Sequence, residues 1–176
     1  MRSRLLLIPV ASIVATVPAF AATYLTVEKA QALMFPGATF VQDFRMLDRE
    51  QVRAIEKVSG VRVEGRTVKA WRASTGGWFL VDQVVGKHEF IPFALALDLD
   101  GAVKDVEILE YHEAYGGEVR LPAWRAQFLG KRHGATLRLT EDVKNISGAT
   151  LSCRHVTDGV KRLLATYALV LAAVDR

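Results

Sequence analysis

Between Phe90 and Leu99 the apolar side chains Ile91, Phe93, Leu95, Leu97 and Leu99 recur at every second position, and Asp100-Gly101 follows at once. A period of two is the period of a β-strand, whose successive side chains point to opposite faces. An Asp-Gly pair accepts the left-handed backbone of a tight hairpin turn. Val103 to Tyr111 therefore reads as the returning strand, with Val106 and Ile108 facing away from Asp105 and Glu107. Ala94 and Ala96 lie on the second face of the first strand, where their small side chains let a neighbouring element approach closely. A chain built on such a hairpin folds around an antiparallel sheet.

The flanking segments extend the pattern. Thr26 to Phe35 predicts a short helix capped by Thr26 and stopped by Pro36. Leu47 to Val58 predicts a second, with Asp48 and Gln51 spaced as a capping box, Val52 and Ile55 facing inward and Gly60 closing it. Val61 to Ala73 and Trp78 to Val85 read as strands joined by Ser74-Thr75-Gly76-Gly77. After Tyr115-Gly116-Gly117, Pro122 to Leu129 reads as a short helix carrying Trp124 and Phe128, and Thr136 to Thr140 as a further strand. Val156, Val160, Leu163, Tyr167 and Leu171 recur at helical spacing, so a long amphipathic helix starts near Ala149. The fold class expected is α+β: an antiparallel meander flanked by helices, closed by a long C-terminal helix.

The N-terminus reads as an address. Arg2 and Arg4 precede an uncharged run from Leu5 to Phe20, and Ala19-Phe20-Ala21 is a small-x-small cleavage signal. Pro9 and Pro18 interrupt the run, which is shorter than the ~20 residues of a membrane span. Residues 1–21 are thus expected to be a signal peptide and 22–176 a single exported or periplasmic domain; an uncleaved membrane anchor is the alternative. Of the 23 Lys and Arg, two lie in that leader, so the remainder nearly balances the 19 acids. That excludes the clustered positive charge of a nucleic-acid binder. Cys153 is the only cysteine, so no internal disulfide exists, and its neighbours Arg154 and His155 make no haem attachment motif.

The hydrolytic signatures are absent: no His-Glu-x-x-His, no Gly-x-Ser-x-Gly, no P-loop. His88, His112, His133 and His155 are scattered without metal-ligand spacing. What carries chemistry is the run Asn145-Ile146-Ser147-Gly148-Ala149-Thr150-Leu151-Ser152. Small residues let a bulky group come near the backbone, Thr150 supplies a hydroxyl, and the start of a long helix offers free amides and a positive dipole end to an anion. An ordinary helix start capped by Ser147 accounts for the same residues. Gly-Ala-Thr also occurs at 37–39 and 134–136, but only the third copy has Ser before it and an amphipathic helix after it.

With these residues the chain resembles the FMN-binding domain family, whose members include the G subunit of Rnf complexes and the C subunit of the sodium-translocating NADH:quinone reductase. In that family a Ser/Thr-Gly-Ala-Thr motif takes FMN from a flavin transferase as a phosphoester on the terminal Thr, and Ser147-Gly148-Ala149-Thr150 matches it in full. The upstream order also follows the family: Leu97 to Gly101, Val106 to Leu109, Glu113 with Gly116, then Trp124, Gln127, Phe128 and Gly130. The resemblance runs from about Trp78 to Leu164. Many members have an acid three positions before the motif Ser; this chain has Lys144, and its nearest acid is Asp142. The resemblance implies covalent FMN on Thr150, with Ser147, Gly148, Ala149, Leu151, Glu113, Tyr115 and Gly116 around the cofactor. It implies an exported electron carrier that works with membrane or periplasmic redox partners and binds no nucleic acid. A non-flavinylated secreted binding module of the same fold, or a small flavin-dependent reductase, are the alternative functions.

Overall fold

The computed structural model describes residues 22–23 and 25–172. The leader signal falls outside them. Strand β1 (Ala22–Thr23) is followed by helix α1 (Val27–Met34), whose first turn is capped as expected: the Thr26 hydroxyl accepts the Lys29 amide at 3.3 Å. Two short strands, β2 (Phe40–Gln42) and β3 (Arg45–Met46), lead to helix α2 (Arg49–Ser59). Its capping box forms in full: Asp48 accepts the Glu50 and Gln51 amides, and the Gln51 side chain accepts the Asp48 amide.

The meander follows as β4 (Thr67–Ala73), β5 (Trp78–Val85), β6 (Phe90–Leu97) and β7 (Val103–Ile108). The six-stranded antiparallel sheet has the order β2-β4-β5-β6-β7, with β3 also paired to β4. Strand β8 (Glu110–Tyr111) pairs with β1. The alternation in β6 sorts its side chains as read. Ile91, Phe93, Leu95 and Leu97 join Val106, Ile108, Val156 and Val160 in the main core. Ala94 and Ala96 meet Ala30, Met34 and Phe79 in a second core, so the element that approaches this face closely is α1. Leu99 departs from the reading and is 75% exposed, because the strand ends at Leu97. The Asp98 carboxylate accepts the Asp100 and Ala102 amides and turns the chain two residues early.

Two further strand expectations are corrected. Residues 61–66 are not strand, since the pairing of β3 with β4 ends at Met46 opposite Thr67. The segment is tied to α2 instead, where Glu56 Oε1 accepts the Val63 amide at 3.0 Å. Thr136 to Thr140 forms no strand either: Leu137 and Thr140 have φ of 41° and 72°, and Asp142 gathers the Leu137 and Arg138 amides into a turn. Positive φ is incompatible with extended pairing. The helix expected at Pro122–Leu129 is one α-turn, α3 (Pro122–Arg125), continued by a 3₁₀ turn over Ala126–Phe128.

Helix α4 (Thr150–Thr166) runs on into a π-helical turn at Tyr167–Leu171 and, with α2, covers the sheet face opposite α1. Gly159 allows the approach: a Cβ there would stand 2.8 Å from Val84 Cγ1 and 2.9 Å from Phe93 Cζ. Among the described residues no helix is long and apolar enough to cross a membrane.

Candidate functional site at the start of the C-terminal helix

The segment entering α4 turns sharply. The Ala149 amide donates to the Ile146 carbonyl at 3.0 Å, and Gly148 takes a φ of 80° that an L side chain resists. Ala149 occupies the N-cap position and no side chain caps the helix. Ser147, whose hydroxyl could have capped it, lies two residues upstream and is exposed. The ordinary capped start is therefore not what the sequence builds here. The amides of Thr150, Leu151 and Ser152 have no intrahelical acceptor, and the positive end of the dipole is left open.

Thr150 is the first residue of α4 and is exposed. Its Oγ1 accepts a hydrogen bond from Asn145 Nδ2 at 3.0 Å. Beside it Ala149 is buried, and Gly116 is what makes room for it. At Gly116, with φ 91°, a Cβ would stand 2.8 Å from Ala149 Cβ and 2.6 Å from the Tyr111 hydroxyl. That hydroxyl donates to the Tyr115 carbonyl at 2.6 Å and lies 3.0 Å from Ser152 Oγ. Burial raises the Tyr111 pKa, which keeps the phenol protonated and its bridge between β8 and α4 intact.

The opposite wall comes from the β5–β6 hairpin. Glu113 Oε1 accepts the amides of His88 and Glu89 at 2.6 and 3.1 Å. Partial burial acts to raise the Glu113 pKa, but the amides of His88, Glu89 and Lys87 outweigh it and hold the carboxyl below its ordinary value. Gly86 admits the carboxylate, since a Cβ there would stand 2.4 Å from Glu113 Oε1. On the other side of the hairpin the His155 ring bonds the Val85 carbonyl, so the loop is tied to α4 as well.

These walls enclose an open cleft of about 340 Å³. Gly148, Ala149, Thr150, Leu151 and Ser152 form one side, Glu113, Ala114 and Tyr115 the second, Lys87 and His88 the third. The volume lies within the roughly 300–1,000 Å³ of small-molecule sites. Tyr115 is 81% and Leu151 41% exposed, so flat apolar surface is offered beside the Thr150 hydroxyl. Larger clefts of about 480 and 750 Å³ lie elsewhere and contain no residue of the Ser147–Thr150 motif.

Of the residues singled out from the sequence, Thr150, Gly148, Ala149, Leu151, Glu113 and Tyr115 thus meet around one cleft. Ser147 lies outside it, and Gly116 sits behind Ala149. Ser152, the last residue of the run singled out from the sequence, also lines the cleft, whereas Lys87, His88 and Tyr111 carried no signal as site residues. Lys87 and His88 stand about sixty positions from the motif and belong to no pattern; only the hairpin brings them in. His112 pairs with Glu110, and Trp124 is core, edge-on to Phe128 at a centroid distance of 5.2 Å. Asp142, the acid nearest the motif, is occupied by the 137–142 turn and by Lys131. Of the three Gly-Ala-Thr copies only the third opens a helix. Among the described residues no cluster of three or more His, Cys, Asp or Glu could hold a metal.

Comparison with known families matches residues 86–165 to the FMN-binding domain. The matched span opens at Gly86 of the hairpin, closes within α4, and so contains every wall of the cleft. No curated protein matches the chain.

Proposed function

Since residues 86–165 belong to the FMN-binding domain family, we propose that this chain is an exported electron-transfer flavoprotein whose FMN is esterified through its phosphate to Thr150. The observation that carries the proposal is the Thr150 hydroxyl, exposed on the first residue of an uncapped helix and on the rim of a cleft of small-molecule size. A hydroxyl must be exposed for a flavin transferase to reach it. A phosphodiester at that oxygen keeps one negative charge, which the open amides and the dipole of α4 favour.

The rest of the cleft fits the remainder of the group. Tyr115, Ala114 and Leu151 present apolar surface suited to an aromatic ring system. Lys87 brings positive charge to the opposite wall, with the His88 ring beside it. Glu113 acts through the loop: its carboxylate is occupied by backbone amides and fixes Lys87 and His88 in place. Bound flavin takes up one or two electrons and can join two-electron donors to one-electron carriers; that chemistry is the cofactor's own. The chain's part is to hold the ring, set its electrostatic surroundings and leave one edge open to membrane or periplasmic redox partners. Covalent attachment suits an exported carrier, which cannot draw on a cytoplasmic FMN pool.

The test is an intact-mass spectrum of the chain co-expressed with a flavin transferase and exported, followed by peptide mapping. An added FMN phosphoester on the peptide containing Thr150 is expected. Unmodified protein after export in the presence of active transferase would favour the non-flavinylated binding module.

A further inference from the structure

The turn that delivers Thr150 is gripped by its backbone. Trp124 Nε1 donates to the Lys144 carbonyl at 2.8 Å, and the Lys144 amide donates to Gln127 Oε1 at 2.8 Å. Both polar groups of one residue's main chain are thus held by the segment containing α3. The grip is anchored in turn, because Gln127 Nε2 donates to the Trp124 carbonyl at 2.9 Å and Trp124 is buried against Phe128. The Lys144 side chain is exposed and takes no part. Its neighbour Asn145 is thereby placed to reach across the Ile146–Ala149 turn to Thr150 Oγ1 at 3.0 Å.

We propose that Asn145 is a positioning residue for flavin attachment, orienting the Thr150 hydroxyl, and that Trp124 and Gln127 hold Asn145 in place. The proposal rests on Thr150 being the acceptor. A Thr side chain exposed on a helix splits between rotamers. The Asn145 amide occupies one lone pair of Oγ1, selects one rotamer and leaves the O–H directed away from Asn145. The same N–H stabilises the oxygen as its proton departs. In the transfer, Oγ1 forms a bond to the flavin-side phosphorus of an FMN phosphoanhydride such as FAD. The anhydride P–O bond breaks, the nucleotide leaves as its monophosphate, and the Thr150 proton passes to a base of the transferase. No electrons are exchanged. The turn uses only the main chain of Lys144.

The experiment incubates the full mature chain with a flavin transferase and FAD and follows the initial rate of covalent labelling by mass. The Thr150 side-chain rotamer is read from three-bond couplings, and melting curves are taken for each variant. Asn145→Ala is expected to label slower by on the order of tenfold to a hundredfold, the cost of a misoriented reactant. Its melting curve should be nearly unchanged, and its Thr150 couplings should move toward a rotamer average. Gln127→Ala is expected to slow labelling, and Gln127→Glu, which keeps an oxygen acceptor for the Lys144 amide but loses the donor to the Trp124 carbonyl, to slow it less. Lys144→Ala is expected to label like the wild type. Wild-type labelling of Asn145→Ala, or unchanged Thr150 couplings in it, overturns the proposal. Wild-type labelling of Gln127→Ala, or slow labelling of Lys144→Ala, overturns the role of the backbone grip. A wild-type chain that takes up no flavin refutes the Thr150 assignment and this proposal with it, whereas rapid labelling of both wild type and Asn145→Ala refutes this proposal alone.

Discussion

Thr150→Ala separates a structural from a chemical role for the residue. Thr150 caps nothing, since Ala149 holds the N-cap position and no side chain bonds the helix end. What the substitution removes is one exposed side-chain hydrogen bond, from Asn145 at 3.0 Å. Such a bond contributes about 0.5–1.5 kcal/mol, and exposure puts it at the lower end. Alanine returns several tenths of a kcal/mol through its better helix propensity. The net loss is therefore under about 1 kcal/mol, a shift of about 2–4 °C at most in a domain of this size. Against that small change, covalent flavin should vanish altogether. The assay is export with a flavin transferase, denaturation, and measurement of protein-bound absorbance and mass beside a thermal melt. Thr39→Ala and Thr136→Ala serve as controls and should stay labelled. Covalent flavin in Thr150→Ala, or its loss in either control alone, would refute the assignment. A drop in stability of several kcal/mol would show instead that the hydroxyl is a structural group whose surroundings have been misread.

Four further outcomes are expected. Glu113 has a folded-state pKa below its unfolded value, so its contribution to stability is full above the ordinary glutamate pKa and is lost as pH falls through the folded value; an NMR titration of its carboxyl carbon with a midpoint at or above that of Glu113 in an unfolded peptide would contradict this. Glu113→Gln should loosen the 86–89 loop, seen as faster hydrogen exchange at the His88 and Glu89 amides, with attachment retained. Gly116→Ala puts a Cβ within 3 Å of both Tyr111 and Ala149 at a φ of 91°, and should cost on the order of 1–3 kcal/mol; a melting temperature equal to wild type would refute the close packing. Signal-peptide processing should leave Ala22 as the first residue of exported protein, and retention of Met1 in a membrane fraction, read by N-terminal sequencing, would indicate an anchor.

Local chemistry carried much of this fold. The capping box at Asp48 and Gln51, the Thr26 cap, and the alternation through β6 all depend on residues a few positions apart, and all were legible from their order alone. The motif at 147–150 was legible for the same reason, because the helix after it announces itself by apolar periodicity. Where the sequence misled, a side chain had redirected the backbone. Asp98 ended β6 early, leaving Leu99 exposed, and Asp142 curled the residues read as a strand at 136–140 into a turn.

The cleft itself belongs to the other category. The order of residues could nominate Thr150, Glu113 and Tyr115, but nothing in it says that Glu113 turns its carboxylate onto the β5–β6 hairpin rather than into the site. Nor does it say that Lys87 and His88 stand opposite Thr150, or that Trp124 and Gln127 hold the main chain of Lys144. Helix caps and strand periods are encoded within a few residues because they follow from the dihedral preferences and hydrogen-bonding reach of neighbouring groups. The walls of the cleft come from three segments as much as sixty positions apart, and they meet only because burial of the β6 and α4 apolar faces sets the distance between them.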